Sequence, residues 1–226
     1  MPTVVITGAN RGIGLEFARQ YAADGWTVIA TCRDLANPGG LAEVAGVELF
    51  ALSVDDPASI KAFASALKGR SIDLLINNAG IIGPALEQQS KDGIDVDGWL
   101  ETLKVNGLAP ILVSLGLRPL LAAGAKVATV SSQLGSITET ESGGMYAYRA
   151  SKAAINMGNR TLAADWRDDG ITCIVLHPGW VQTDMGGPKA PVAPPDSVAG
   201  MLRVIAAAGP GDSGAFFAYD GRRIPW

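Results

Sequence analysis

The chain is poor in the residues that build metal clusters and covalent frameworks. It has two cysteines, Cys32 and Cys173, 173 − 32 = 141 positions apart in apolar runs, and one histidine, His177. That set is too small for a structural zinc site or a disulfide framework, so no metal is expected, and unpaired thiols suit a reducing compartment. Charge is also scarce, at 18% of 226 residues, below the roughly 25% of an average domain. Lys and Arg number 18 against 22 Asp and Glu, a net 18 − 22 = −4. A slightly acidic chain lacks the basic excess that attracts polyanions, so nucleic acid is not an expected partner. The longest uncharged apolar stretch, between Lys104 and Arg118, has 118 − 104 − 1 = 13 residues, short of the ~18 a spanning helix needs. No membrane association is expected. The opening MPTVVITGAN has no basic segment leading into an apolar one and a small-residue cleavage site, so a cytoplasmic location is expected.

What the chain does have is apolar residues, 48% of the total, enough for a full core in one domain spanning 1–226. Runs rich in Val, Ile and Leu at 3–7, 27–31, 47–52, 73–77, 126–131, 171–176 and 215–219 alternate with helix-like segments. These runs are nearly continuous rather than alternating, as expected of strands covered on both faces. They predict a doubly wound α/β fold of Rossmann type, with a seven-stranded parallel sheet. In such a fold the loops that follow strands share one edge of the sheet, where ligands bind near the point at which strand order reverses. A long helix is predicted over 145–167, ahead of Asp168-Asp169-Gly170. The Pro-rich stretch 188–195 shows no helix or strand pattern and reads as a lid.

The first strand runs into Thr7-Gly8-Ala9-Asn10-Arg11-Gly12-Ile13-Gly14 and then a helical segment. Glycines let backbone approach a pyrophosphate, which the free N–H groups and dipole of the helix start stabilise. The spacing is G-x-x-x-G-x-G, and no Lys-Ser/Thr follows to make an NTPase loop. At the end of the second strand, Arg33 and Asp34 are rival readers of the adenosine ribose. An acidic side chain selects NAD by accepting from the 2′-hydroxyl, and an arginine selects NADP by pairing with the 2′-phosphate. Arg33 comes first and Arg11 offers a second cation, which favours NADP(H) over NAD(H).

Tyr148 and Lys152 stand four apart on the long helix, on one face. A phenol is a sluggish acid-base catalyst near neutrality, and a nearby ammonium brings its pKa down toward the working range. Ser131 and Ser132 end the fifth strand at the ligand edge. Ser132 is the candidate to hydrogen-bond a substrate carbonyl, the alternative being that both serines only cap the loop 133–144. His177 lacks the G-x-S-x-G elbow of a hydrolase and is assigned to loop packing. A methyltransferase on a similar sheet would share the glycine turn but not the Tyr148/Lys152 pair.

With TGANRGIG at 7–14, NNAG at 77–80, Asn106 within KVNG, Ser132, Tyr148/Lys152 and PGWVQT at 178–183 in this order, the chain resembles the short-chain dehydrogenase/reductase family over essentially its full length. MYAYRASKAAINM at 145–157 and the ending DGRRIPW are similar to the branch holding small carbonyl reductases and the C-factor signalling protein. The resemblance implies a tetrad of Asn106, Ser132, Tyr148 and Lys152. Tyr148 would give a proton to a carbonyl oxygen steadied by Ser132, and Lys152 would hold the nicotinamide ribose and tune the phenol. Asn106 would kink its helix and hold a relay water. Gly8, Asn10, Arg11, Gly12, Ile13, Gly14 and Arg33 would bind the cofactor with Asn78, Ala79 and Gly80 on the adenosine side and the Val181 backbone and Thr183 at the nicotinamide. The family's Asp-Val adenine contact is replaced by Ser53-Val54, and the Ser132-to-Tyr148 spacing, 148 − 132 = 16, exceeds the family's common thirteen. The implied partners are a small carbonyl or alcohol substrate and a homodimer or homotetramer partner packed on the helices of Asn106 and Tyr148, where Ala153, Ala154 and Gly158 permit close approach. The rival reading is a non-catalytic dinucleotide-binding regulator of C-factor type.

Overall fold

The computed structural model describes residues 1–226. Its elements in chain order are β1 (Thr3–Ile6), α1 (Gly12–Ala23), β2 (Thr27–Cys32), β3 (Val47–Ala51), α2 (Pro57–Ala66), β4 (Ile72–Asn77), β5 (Gln89–Ser90), β6 (Gly93–Ile94), α3 (Val96–Thr102), α4 (Ala109–Leu117), β7 (Leu121–Val130), α5 (Tyr146–Asp165), β8 (Thr172–His177), α6 (Pro194–Ala207) and β9 (Phe216–Ala218). Seven strands form one sheet in the order β3-β2-β1-β4-β7-β8-β9, parallel throughout. Strand order reverses between β1 and β4, which sets the glycine turn after β1 beside the Asn78-Ala79-Gly80 loop after β4.

The continuous apolar runs are explained by which face each residue covers. Val4, Ile6, Leu74, Ile76 and Leu176 pack with Phe17 and Tyr21 of α1 and Met201 of α6, whereas Val5, Leu75 and Val127 pack with Phe63 of α2, Leu117 of α4 and Leu162 of α5. Period-2 alternation persists, but both faces are dry, and each such side chain stabilises the fold by roughly 1.5–3 kcal/mol. Helix starts follow local chemistry as well. Asp56 caps α2 by accepting from Ala58 N, ahead of Pro57 in the first turn, and Asp95 caps α3 by accepting from Gly98 N.

The structure departs from the sequence reading in four places. Strand β7 begins at Leu121, five residues early, through a register shift opposite Ile72 and Leu74; Leu121 to Ala125 is mostly Ala and Gly and carries no strand pattern. The stretch 188–195 is not featureless: Val192 bridges Val181, and Pro194 and Pro195 open α6. Ala154 and Gly158 are spent inside the chain, because a Cβ on Gly107 would sit 3.3 Å from Ala154 Cβ and one on Gly158 would sit 2.9 Å from Ile111 Cδ1. Finally, α3 continues through a π-helical segment, Leu103–Leu108, into α4. The helical run Val96–Leu120 has 25 residues and contains an 18-residue window of mean hydropathy 1.3, long and apolar enough to cross a membrane by length and composition. Lys104 interrupts it, so the count of uncharged residues missed it. Nearly half of that window is buried in the fold, with Val113 and Leu117 packed on the sheet.

Candidate active site

The glycine turn is held by neighbours on three sides. Gly8 and Gly12 adopt positive φ, +62° and +55°. A Cβ on Gly8 would meet Ala79 Cα at 3.0 Å, one on Gly12 would meet Thr183 Cγ2 at 3.3 Å, and one on Gly14 would meet Asn78 Nδ2 at 2.5 Å. Thr7 Oγ1 accepts from the N–H groups of Asn78 and Ala79, while Asn78 Nδ2 donates to the carbonyls of Thr7 and Gly8. The Asn78 side chain therefore secures the turn itself. Helix α1 starts with no side-chain cap and no acid in its first turn, leaving the N–H groups of Gly12, Ile13 and Gly14 without a helical partner. These features fit a dinucleotide pyrophosphate: a backbone cradle that a Cβ would fill, beside the positive end of a helix.

Around this cradle the polar side chains are unequally committed. Arg11 pairs with Asp184 at 2.9 Å, an exposed ion pair that links the glycine turn to the loop after β8. Arg33 is exposed at the end of β2. The Asp34 carboxylate accepts from Ala36 N and Asn37 Nδ2 at 2.9 and 2.6 Å, and these bonds hold it below the usual carboxylate range. The Asn10 carbonyl accepts from Gly40 N. Ser53 N donates to Ser59 Oγ, and Val54 borders a small void with Thr7 and Ala79. Thr183 Oγ1 accepts from Gly186 N, and the Val181 carbonyl accepts from Thr183 Oγ1.

Ser132, Tyr148 and Lys152 meet at the same edge of the sheet, all buried. Lys152 Nζ donates to the Val130 carbonyl at 3.1 Å and lies 5.7 Å from the centre of the Tyr148 ring. The two serines divide their roles. Ser131 Oγ donates to Asn156 Oδ1 at 2.7 Å, into α5, while Ser132 Oγ accepts from Leu134 N at 3.1 Å and also meets the phenol. Ser132 thus both caps its loop and faces Tyr148. A Cβ on Gly135 would lie 2.7 Å from Lys152 C, so this loop rests directly on the helix.

Burial pushes the Tyr148 phenol above its ordinary pKa, opposed by the Ser132 hydroxyl, and burial takes the Lys152 ammonium from 10.5 to about 8. The expected lowering of the phenol by the ammonium is therefore overridden: desolvation disfavours both charged forms. Asn106 sits in the π-helical segment, with Oδ1 accepting from Ile81 N and Nδ2 donating to Ile81 O and Ser151 Oγ. Both amide hydrogens are committed within the protein, so this side chain ties the loop after β4 to α5. A Cβ on Gly80 would be 3.1 Å from Asn106 Oδ1 and 3.7 Å from Lys152 Nζ.

Sequence reasoning missed Gln89, Ser151, Gly135 and Asp184 as supports of this site. In the loop after β8, Trp180 and Met185 are exposed, and Trp180 Nε1 donates to Gly186 O within that loop. His177 is half-buried at the end of β8, with its pKa lowered to about 4, first by desolvation and then by Arg222. A groove of about 460 Å³ between α2 and α4 is lined by Ile60, Lys61, Lys68, Leu112 and Gly116 and contains no residue of this site.

A glycine cradle at the strand-order switch with a buried Ser, Tyr and Lys beside it defines a nucleotide-dependent oxidoreductase scaffold, and comparison with known proteins agrees. Residues 2–192 match the short chain dehydrogenase family. The chain belongs to the short-chain dehydrogenase/reductase family. It is 46% identical over 169 residues, 74% of this chain and 100% of the relative, to the C-signal of Myxococcus xanthus. It is 36% identical, over 100% of both chains, to the 1-hydroxy-2-glutathionyl-2-methyl-3-butene dehydrogenase of Rhodococcus sp. (strain AD45). Its fold matches an NADPH-bound carbonyl reductase from chicken fatty liver with a TM-score of 0.93 and 38% identity, covering 100% of this chain and 99% of that one.

Proposed function

We propose that the chain is an NADPH-dependent reductase of a ketone or aldehyde, with Tyr148 as general acid. The observation that carries this reading is the burial of Ser132, Tyr148 and Lys152 together beside a glycine turn built to hold a dinucleotide. The turn from Gly8 to Gly14 would hold the pyrophosphate and Arg33 the 2′-phosphate, with Asp34 engaged in its own turn. Ser53, Val54, Asn78, Ala79 and Gly80 would flank the adenosine side, and Val181 and Thr183 the nicotinamide. When bound, the dinucleotide supplies the hydride.

The phenol's raised pKa suits reduction, because the hydroxyl stays protonated until a carbonyl oxygen gains charge. Tyr148 then transfers its proton to that oxygen, Ser132 steadies the oxygen with a hydrogen bond, and the Lys152 ammonium stabilises the phenolate left behind. Asn106 sets the π-helical turn. The NADPH-bound carbonyl reductase among the structural relatives supports this assignment. We also assign a cytoplasmic location, where Cys32 and Cys173 stay reduced. Self-association through α4 and α5 is part of the reading, since Leu115 and Met157 are exposed there.

Likeness to the C-signal favours a second reading, a dinucleotide-binding regulator without turnover. Tyr148→Phe separates the two. On a panel of ketones, aldehydes and quinones followed by NADPH absorbance, the parent turns over. The variant loses roughly 10²–10⁴-fold while still binding NADPH. Unchanged turnover in the variant refutes the general-acid role, and a parent silent on the whole panel favours the regulator.

A further inference from the structure

Helix α5 carries Tyr148 in its first turn but has no local cap. Met145, the residue before it, has φ +53° and no side-chain bond to the helix, and Gly144 has φ +85°; neither has the extended backbone a capping residue uses. The first helical bond runs from Arg149 N to Met145 O, so the N–H groups of Tyr146, Ala147 and Tyr148 lack helical acceptors. Tyr148 N–H donates instead to Gln89 Oε1 at 3.2 Å, across 59 positions of sequence. Gln89 is fully buried, and its Nε2 donates to the carbonyls of Ile82 and Pro84 at 3.2 and 2.7 Å. That set fixes the amide's orientation: reversed, it would oppose N–H to N–H and oxygen to two carbonyls. The other end of the residue is held as well. Ser151 Oγ donates to the Tyr148 carbonyl at 2.7 Å and accepts from Asn106 Nδ2, and Asn106 grips Ile81. Both backbone polar groups of Tyr148 thus trace to the segment from Ile81 to Gln89 after β4.

We propose that Gln89 is a positioning residue for Tyr148, holding the uncapped first turn of α5 at the height that keeps the phenol against Ser132 and Lys152. This rests on the reading of Tyr148 as proton donor. Helix ends open more readily than helix centres, so a side chain in the first turn takes its position from tertiary bonds. A displacement of ~1 Å in a reacting group lowers turnover by as much as ~10²-fold.

The test compares Gln89→Met, which keeps length without polar atoms, with Gln89→Glu, whose protonated form accepts from Tyr148 N–H and donates to one carbonyl. Gln89→Met is expected to lower kcat roughly 10–100-fold, shift the pH profile of kcat and speed hydrogen exchange at the Tyr148 amide, with NADPH affinity within ~3-fold of the parent. Gln89→Glu recovers most of kcat. A folded Gln89→Met protein with the parent's pH profile, or a Gln89→Glu protein as impaired as Gln89→Met, overturns the proposal. Should Gln89→Met fail to fold, Gln89→Asn, one methylene shorter, reads the same displacement, and a parental kcat and profile there overturn it. Tyr148→Phe in the same assay keeps the two readings apart. Parental turnover in that variant refutes the proton donor and this proposal together, whereas its loss beside parental Gln89 variants refutes positioning alone.

Discussion

Replacing Lys152 by Met should stabilise the fold at neutral pH and abolish turnover. Burial takes the ammonium from 10.5 to about 8 in the folded chain. The difference, 10.5 − 8 = 2.5, corresponds to about 3 kcal/mol at ~1.36 kcal/mol per pKa unit. Below pH 8 the lysine is charged in both states, and the folded chain bears this penalty in full. Between about pH 8 and 10.5 the unfolded chain still binds a proton that the folded chain has released, so stability climbs with pH, and above that range the penalty is gone. Met removes the charge but also the hydrogen bond to the Val130 carbonyl, a loss of about 1 kcal/mol. The variant should therefore be about 1–2 kcal/mol more stable than the parent at pH 7 and about 1 kcal/mol less stable near pH 11. Urea denaturation of both chains at the two pH values measures this. Tyr21 and Cys173, whose pKa values are raised by burial, lose stability with rising pH in both chains and cancel in the difference. A variant less stable than the parent at pH 7, or a difference that does not depend on pH, refutes the reasoning.

Arg33→Ala should weaken NADPH binding by roughly 10–100-fold and leave NADH within ~2-fold, the range of a lost charge-assisted contact of ~1.5–3 kcal/mol; equal losses in fluorescence titrations would remove the 2′-phosphate role. Gly135→Ala should cost about 1–3 kcal/mol, because its Cβ would meet Lys152 C at 2.7 Å and Lys152 Cβ at 2.8 Å, where backbone cannot yield. Turnover should fall with it, since the same loop carries Ser132. A thermal melt and kcat matching the parent would contradict this packing.

The sheet was legible because burial on both faces writes itself as unbroken Val, Ile and Leu, and α5 because Ala, Lys and Leu fill it. The pairing of Tyr148 with Lys152 was legible because four residues make about one helical turn. Other features leave no such trace. Strands of two residues, Gln89–Ser90 and Gly93–Ile94, are too short for a period, and the π-helical segment differs from its flanks in hydrogen bonding rather than composition. A charge does not name its partner, and nothing beside Arg11 in the sequence points to Asp184, 184 − 11 = 173 positions on. The direction of the phenol's pKa depended on how dry the pocket is, which residue spacing does not encode.

Gln89 is the most instructive omission. Set among Glu87, Gln88, Ser90, Lys91 and Asp92, it reads as one more exposed polar residue, yet it is fully buried. A signal for it did exist, though not at Gln89. Gly143-Gly144-Met145 offers no side-chain acceptor to the strongest helix in the chain, and a buried helix start cannot leave all of its first N–H groups unmatched. A strong helix with a missing cap therefore implies an acceptor supplied from elsewhere in the fold. When that helix carries a proton donor in its first turn, the absent cap marks the place where function and fold are joined by a distant side chain.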